Sequence, residues 1–288
     1  MPINAQCVHY DVVDVFTDRA FAGNTLAVVW GGDDLDARQM QTIAKEFGYS
    51  ETAFPLEPIE AEADYRMRIF TPLTELAFAG LPSIGTAWLL AANRELELGP
   101  TVQETFGGLH TVIINEDSAT LVGGAAQVGE HIDAAPLARA LGLDLSDVDG
   151  RAPAGVAGAG VDFTFLPVRD EALARVRPAP DMAEYALGRG LVSVAFDAAR
   201  QVAHVRMFRN SGGEDSATGA AALGLGVWLV DRGLLPPDGD FRVEVHQGAE
   251  MGRPSILEVT LHAAGGQASE VTVGGRVVHV ASGRIRIP

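Results

Sequence analysis

The sequence has little cysteine and little positive charge, and each shortage excludes a class of function. Its 288 residues include one cysteine, Cys7, too few for an internal disulfide, a two-cysteine racemase or a thiolate metal cluster. Lysine and arginine number 21 against 38 aspartates and glutamates, giving a net charge of −17 that would repel a phosphate backbone. We therefore expect no nucleic-acid partner, and a chain with one cysteine is typical of a reducing compartment.

Long apolar runs are also missing. No stretch approaches the roughly 20 apolar residues of a membrane helix without a glycine or a charge. Residues 1–8 lack the basic and then apolar pattern of a secretory leader. Since 47% of the residues are apolar and 20% are charged, the composition is that of a folded globular protein. We expect a cytoplasmic protein with no membrane partner.

Motifs for metals, dinucleotides and acyl transfer are absent from the sequence. The seven histidines are scattered and form no HExxH or other paired spacing. The glycines at 107–108 and 158–160 do not complete a dinucleotide-binding fingerprint, and no serine lies in a nucleophile-elbow context. The sequence predicts no metal and no cofactor.

Two long apolar segments, residues 83–92 and 217–230, predict helices that the rest of the fold encloses, because they are apolar on nearly every side. Alternating segments such as 65–70 and 202–208 predict strands. An amphipathic helix is predicted after Asp34 as N-cap and before Gly48 as stop, whereas the Ala- and Gly-rich residues 150–160 look irregular. We predict an α+β fold with mostly antiparallel, barrel-like sheets, each wrapped around a central apolar helix.

The two apolar helices belong to an internal repeat. Arg68-Ile69-Phe70 precedes a polar turn and Pro82-Ser83-Ile84-Gly85-Thr86-Ala87, while Arg206-Met207-Phe208 precedes Ser216-Ala217-Thr218-Gly219-Ala220-Ala221. Matching these helix segments gives an offset of about 134 residues, which is too long for a solenoid and indicates a duplicated domain.

This repeat predicts two pseudo-symmetric halves, residues 1–118 and 119–288, with a last strand that can cross back to the first half. At the same offset, Leu81 is the counterpart of Asp215.

A buried helix that begins at a glycine-bearing loop collects unpaired backbone N–H groups at the positive end of its dipole. The helix starts near Ser83 and Thr218 can therefore hold a carboxylate, although glycines there can equally serve only a tight turn. Glu51, Glu214 and Asp215 are nearby candidates for proton transfer. An acidic residue considered alone is normally a solvated surface group.

Several segments, in this order, resemble the phenazine-biosynthesis PhzF-like isomerase family. Gln247-Gly248 and Met251-Gly252-Arg253-Pro254-Ser255 extend the resemblance over nearly the whole chain. The other segments are Phe16-Thr17-Asp18-Arg19-Ala20-Phe21-Ala22-Gly23-Asn24, Tyr49-Ser50-Glu51-Thr52, Arg68-Ile69-Phe70-Thr71-Pro72, Phe78-Ala79-Gly80-Leu81-Pro82-Ser83-Ile84-Gly85-Thr86-Ala87 and Gly213-Glu214-Asp215-Ser216-Ala217-Thr218-Gly219.

The resemblance implies a fold like that of diaminopimelate epimerase, with the active site between two halves, and a homodimer. It implies that Glu51 is the general acid and base and that Asp215 holds an amino or hydroxyl group of a small-molecule substrate. The N–H groups of Thr218 and Gly219 would hold the substrate carboxylate. The remaining substrate-binding residues are Ser50, Gly80, Leu81 and Ala220.

Two positions depart from the family pattern. Leu81 replaces the usual histidine and Ala220 replaces the usual serine after Thr-Gly. Since a site that loses hydrogen-bonding groups selects a different ligand, we expect a substrate with an alkyl or alkylidene side, such as a conjugated proline-like imine.

The predicted function is that of a cofactor-independent isomerase that moves a proton, and with it a double bond, within a small cyclic amino- or carboxyl-bearing metabolite. Antibiotic or other specialised-metabolite biosynthesis is the expected setting. Two alternatives remain open. One is a non-catalytic ligand-binding or scaffolding homologue, suggested by Leu81 and Ala220, and the other is a cofactor-free epimerase that returns the proton to the same carbon.

Overall fold

The computed structural model describes residues 6–288, which divide into two compact units. The first unit contains the described residues up to Leu121 together with Gly274–Pro288. The second unit is Val122–Val273. Strand β17 (Gln267–Arg286) therefore begins in the second unit and continues into the first.

The first unit contains eight strands besides β17 and two helices among its described residues. The helices are α1 (Ala37–Phe47) and α2 (Gly80–Ala92). The strands are β1 (Cys7–Val15), β2 (Asn24–Val29), β3 (Glu51–Leu56), β4 (Tyr65–Phe70), β5 (Glu75–Leu76), β6 (Gly99–Thr105), β7 (Gly108–Ile114) and β8 (Ser118–Val122), the last of which ends at the unit boundary.

The second unit has a similar content. Its helices are α3 (Ala134–Ala140), the single turn α4 (Asp170–Leu173) and α5 (Gly219–Asp231). Its strands are β9 (Ala126–Ile132), β10 (Ala154–Ala159), β11 (Asp162–Pro167), β12 (Gly190–Asp197), β13 (Val202–Arg209), β14 (Glu214–Asp215), β15 (Gly239–Gln247) and β16 (Ser255–Ala264).

Strand pairing follows the same order in both units. In the first, β2 pairs parallel with β3, β3 antiparallel with β4, and β4 parallel with β6, which pairs antiparallel with β7. Strands β11, β12, β13, β15 and β16 repeat this series of parallel and antiparallel pairs in the second unit. Most other pairs are antiparallel, so the predicted α+β class with mostly antiparallel sheets is confirmed.

The helices α2 and α5 are the central helices, and the sheet of each unit packs around its own. Within α2, Gly85 allows close packing, because a Cβ there would lie 2.6 Å from Leu26 Cδ2. Within α5, a Cβ on Gly224 would lie 3.0 Å from the carbonyl oxygen of Ala157. Both helices are buried over most of their length, as their apolar sequences predict.

Across residues 6–288, the helices are too short or too polar for any of them to cross a lipid bilayer.

The structure corrects the alignment of the repeat. Helix α2 begins at Gly80 and α5 begins at Gly219, so the helix starts are 139 positions apart rather than about 134. The sequence match placed Gly85 opposite Gly219, but Pro82 lies inside the first turn of α2, where a missing N–H costs no hydrogen bond. Leu81 is therefore the counterpart of Ala220 and not of Asp215.

Two local predictions also differ from the structure. Helix α1 has Asp36, not Asp34, as its N-cap, and Gly48 ends it in the left-handed conformation as expected. Residues 150–160 were predicted to be irregular, yet they contain β10, which is buried at every residue. Alternation is the sequence signal for a strand with one solvent face, and a strand buried on both faces lacks it.

The capping box of α1 makes a stability prediction. Asp36 accepts a hydrogen bond from the Gln39 N–H (2.8 Å), and the Gln39 side chain accepts one from the Asp36 N–H (3.0 Å). We expect Asp36→Ala to lower the free energy of unfolding by about 1 kcal/mol, measured by urea denaturation. Asp34→Ala is the matched control and should have a smaller effect. Equal losses in the two variants would contradict this assignment of the cap.

Candidate functional site

Glu51 is the first residue of β3, at the end of the strand where its parallel neighbour β2 also begins. Leu26 is its register partner, and both Ser50 and Glu51 are half-buried. Since parallel strands start at the same edge of a sheet, the residues that enter β2 lie at the same edge as Glu51.

The loop that enters β2 is held by a buried carboxylate. Asp14, which is 1% exposed, accepts hydrogen bonds from the Phe21 N–H (2.7 Å) and the Thr25 hydroxyl (2.9 Å). Phe16 and Phe21 both adopt positive φ angles in this loop, a conformation that is unusual for bulky residues. The two hydrogen bonds to Asp14 fix the loop on the edge that carries Glu51.

The start of α2, in the same unit, is apolar. Gly80 and Leu81 form the first turn after the N-cap Ala79, and all three residues are buried. No side chain caps this turn. Further along, the Ser83 hydroxyl contacts the Ala79 carbonyl oxygen (2.8 Å) and the Gln103 side chain (2.8 Å).

The start of α5, in the second unit, is polar instead. Asp215 is 6% exposed and precedes the N-cap Thr218 by three residues. The Thr218 hydroxyl donates to Asp215 Oδ2 (2.6 Å), and the Arg209 guanidinium forms an ion pair with Asp215 Oδ1. The negative charge of Asp215 is therefore paired with a neighbouring cation before any ligand binds.

A buried glutamine also contacts the start of α5. The Thr218 N–H donates to Gln247 Oε1 (3.1 Å). The sequence predicts this N–H as a donor to a ligand carboxylate, but in the structure it already has a partner within the protein. The N–H groups of Gly219 and Ala220 lie in the first turn, where no intrahelical carbonyl reaches them. They are the donors of this helix start that suit an anion.

Equivalent ion pairs show how the two helix starts correspond. Arg68 binds both carboxylate oxygens of Glu75 (2.6 and 2.8 Å), and Arg206 binds both oxygens of Glu214 (2.7 and 2.8 Å). Each arginine also lies 5.2 Å from the centre of a phenylalanine ring two residues along its strand. These matching clusters make Leu76 the counterpart of Asp215.

The same correspondence identifies the counterpart of Glu51. Thr52 pairs with Phe70 on β4, and Leu191 pairs with Phe208 on β13. Gly190, the residue before Leu191, therefore occupies the position of Glu51 in the second unit. A Cβ on Gly190 would lie 2.3 Å from the carbonyl oxygen of Phe208, so no side chain fits there without movement.

The predicted site residues thus fall into two groups, one in each unit. Ser50, Glu51, Gly80 and Leu81 belong to the first unit, and Asp215, Thr218, Gly219 and Ala220 belong to the second. Among residues 6–288, no three His, Cys, Asp or Glu side chains are arranged to hold a metal ion.

Two residues that contact the segment before and at the start of α5, Arg209 and Gln247, were not predicted as site residues. Gln247 had a signal, because Gln247-Gly248 is one of the segments that resemble the family. Arg209 had none.

The two arginines of the ion-pair clusters differ in burial, which gives a testable difference in stability. Arg206 also donates to the carbonyl oxygens of Leu173 (2.8 Å) and Val176 (3.1 Å), and its side chain is 7% exposed against 21% for Arg68. We expect Arg206→Ala to cost about 3–5 kcal/mol of unfolding free energy in urea denaturation. Arg68→Ala should cost clearly less, because water reaches Glu75 more easily. A larger loss for Arg68→Ala would contradict this interpretation.

The partial burial of His110, which lies on β7 against Phe78, should make the stability depend on pH. Its ring lies 4.3 Å from the ring of Phe78, and its Nε2 contacts the Thr105 hydroxyl (3.1 Å). Burial lowers the pKa of His110 below its ordinary value of 6.5. The unfolded chain therefore binds the proton more tightly, so this contribution is complete above the unfolded pKa and is lost as the pH falls below it.

We expect His110→Gln to reduce the fall in Tm between about pH 7.5 and about pH 5. His9→Gln, which changes an exposed histidine, should retain the wild-type fall. The interpretation fails if both variants keep the wild-type pH dependence.

Comparisons with known proteins identify the family. A family model described as phenazine biosynthesis-like protein matches residues 13–283. A protein named as an uncharacterized isomerase from Mesorhizobium japonicum is 35% identical over 303 residues, covering 98% of this chain and all of the relative. The trans-2,3-dihydro-3-hydroxyanthranilate isomerase of Pseudomonas aeruginosa is 34% identical, covering 96% of this chain and 98% of that enzyme.

A solved structure shows the same fold. The phenazine biosynthesis protein of the PhzF family from Bacillus anthracis superposes with a TM-score of 0.88, covering 98% of this chain and 100% of that chain at 24% identity. The resemblance read from the sequence motifs is confirmed. The chain belongs to the phenazine biosynthesis-like (PhzC-PhzF) family, and it is an isomerase.

Proposed function

We propose that this isomerase moves a proton, and with it a double bond, within a small cyclic amino- or carboxyl-bearing metabolite, without a cofactor. Glu51 is the group that removes and returns the proton. The observation that supports this most directly is the difference between Glu51 and its counterpart Gly190, because the duplicated fold retains an acid at this position in the first unit alone.

The absence of an acid at the position equivalent to Glu51 favours double-bond migration over epimerisation. Inversion at one carbon is achieved most simply by two groups, one removing the proton from one face and another supplying it to the opposite face. The position equivalent to Glu51 holds a glycine with no room for a side chain. One carboxylate that removes a proton from one carbon and returns it to another can complete a double-bond shift.

The start of α5 is the proposed site for the polar end of the substrate. The N–H groups of Gly219 and Ala220 have the direction and partial charge to hold a carboxylate. Asp215 is the proposed acceptor for an amino or hydroxyl group, with Arg209 and Thr218 holding its carboxylate in place.

The start of α2 supports an apolar side on the substrate. Leu76 stands where the second unit has Asp215, and Leu81 stands where it has Ala220. The relative from Pseudomonas aeruginosa acts, by its name, on a ring with a hydroxyl group and a carboxylate. We propose a substrate of similar size with fewer polar groups, such as a conjugated proline-like imine of specialised metabolism.

A non-catalytic descendant would have little reason to retain the polar groups of this site. Asp215 is held by two partners, and Glu51 remains at the sheet edge where the loop is fixed by Asp14. These features favour an enzyme over a scaffolding protein.

Replacing Glu51 tests this proposal. In D₂O, the proton that Glu51 takes from the substrate exchanges with solvent before a hydron is returned. The wild-type protein should therefore incorporate deuterium into trans-2,3-dihydro-3-hydroxyanthranilate or a conjugated proline-like imine, and proton NMR measures the incorporation. Glu51→Gln should abolish the incorporation, because the amide cannot accept the proton, while binding of the same compound stays measurable. Glu57→Gln, which changes an exposed residue beyond β3, is the control and should exchange at the wild-type rate. Undiminished exchange in Glu51→Gln would exclude the assigned role.

A further inference from the structure

We propose that Gln247, at the end of β15, is the positioning residue that sets the geometry of the ligand-binding start of α5. The inference rests on the proposed function for the role of that helix start. Gln247 is 3% exposed, so its amide is removed from water and must form its hydrogen bonds within the protein.

The hydrogen bonds of the Gln247 side chain go to the segment that carries the candidate site residues. Oε1 accepts from the Thr218 N–H (3.1 Å). Nε2 donates to the carbonyl oxygen of Asp215 (2.8 Å) and to the Thr218 hydroxyl (3.1 Å). One amide therefore joins both ends of the turn from Asp215 to Thr218 and fixes their separation.

These bonds explain an unusual feature of the helix start. An N-cap threonine normally accepts a hydrogen bond from an N–H of the first turn through its hydroxyl. Thr218 makes no such bond, and its hydroxyl donates to Asp215 instead. Gln247 binds both the N–H and the hydroxyl of Thr218, and this hydroxyl donates to Asp215. Since the hydroxyl does not cap the helix, the N–H groups of Gly219 and Ala220 have no side-chain cap.

The strand connection beyond Gln247 holds the same turn from a second point. A Cβ on Gly248 would lie 2.5 Å from the carbonyl oxygen of Ser216, which is therefore in close contact with this glycine. The Ser255 hydroxyl donates to the same carbonyl oxygen (2.8 Å). The turn is thus anchored at Asp215, Ser216 and Thr218 from one side.

The first unit contains a matched control, Gln103 on β6. Gln103 is also buried and also contacts the central helix of its unit, through the Ser83 hydroxyl (2.8 Å). Its amide donates to the Tyr65 hydroxyl (3.0 Å). These partners are side chains, so Gln103 shares the burial of Gln247 without its contacts to the backbone of a helix start.

The first measurement needs no ligand. The Ala222 N–H donates to the Thr218 carbonyl oxygen (3.0 Å), so its exchange reports on the opening of this helix start. Amide hydrogen exchange of the full-length protein, read by NMR, should be about tenfold faster at Ala222 in Gln247→Leu than in the wild type. Gln103→Leu should lower Tm to a similar degree but leave exchange at Ala222 unchanged. If both variants change exchange at Ala222 equally, Gln247 is only a structural residue and the proposal is wrong.

The second measurement uses 3-hydroxyanthranilate as the carboxylate-bearing probe. Gln247→Leu should raise its Kd about tenfold or more, and Gln103→Leu less than about threefold. With a turned-over substrate, Gln247→Leu should raise KM more than it lowers kcat. A Kd that stays within the Gln103→Leu range would overturn the proposal. If the wild-type protein neither binds the probe nor exchanges deuterium, the proposed function fails, and amide exchange alone decides the role of Gln247.

A second variant covers the case in which Gln247→Leu does not fold. Gln247→Asn retains the amide without adding a charge, but it is one methylene shorter and cannot reach both the Thr218 N–H and the Asp215 carbonyl oxygen. We expect exchange at Ala222 between the wild-type and Gln247→Leu values, with a smaller loss of Tm. Wild-type exchange in a folded Gln247→Asn protein would contradict the proposal.

Discussion

The enclosure of one apolar helix by the sheet of each unit is the constraint on which the rest of the structure depends. A helix buried along its length satisfies its own backbone except in its first and last turns. The first-turn N–H groups therefore have no intrahelical acceptor, and they lie at the positive end of the helix dipole. In both units, the loop before the central helix is where ion pairs, glycines and candidate site residues collect.

The duplication produced two helix starts with one framework and different chemistry. The framework is retained in both: an arginine binds a glutamate with two hydrogen bonds and packs on a phenylalanine of its own strand. The candidate site positions differ, because Glu51 corresponds to Gly190, and Leu76 corresponds to Asp215. The first unit has the candidate acid and an apolar helix start, whereas the second has a polar helix start and a glycine in place of that acid.

Much of this could be predicted from the sequence because the strongest signals are local. Each central helix is continuous and apolar, and its family motifs lie in short runs around Glu51, Gly80 and Asp215. The predicted offset of the repeat was wrong by about five residues. The sequence placed the helix start after Pro82, whereas α2 begins at Gly80 and contains this proline in its first turn. Strand β10 was missed because burial on both faces removes alternation.

The residues that could not be predicted act over long separations in sequence. Gln247 follows Thr218 by 29 positions, and only the parallel pairing of β13 with β15 brings its amide to the turn. The correspondence of Glu51 with Gly190 likewise depends on strand register, which no local pattern specifies. Arg209 lies six residues before Asp215, but its contact depends on the turn between β13 and β14.

The central claim is that one carboxylate, Glu51, handles the proton from beginning to end. The most direct test is the stereochemistry of the reaction in D₂O, determined by NMR on substrate labelled at the carbon that loses hydrogen. A single acid predicts that deuterium enters the product on the same face of the ring from which the hydrogen left. Delivery of deuterium to the opposite face would require a second acid and would contradict this account.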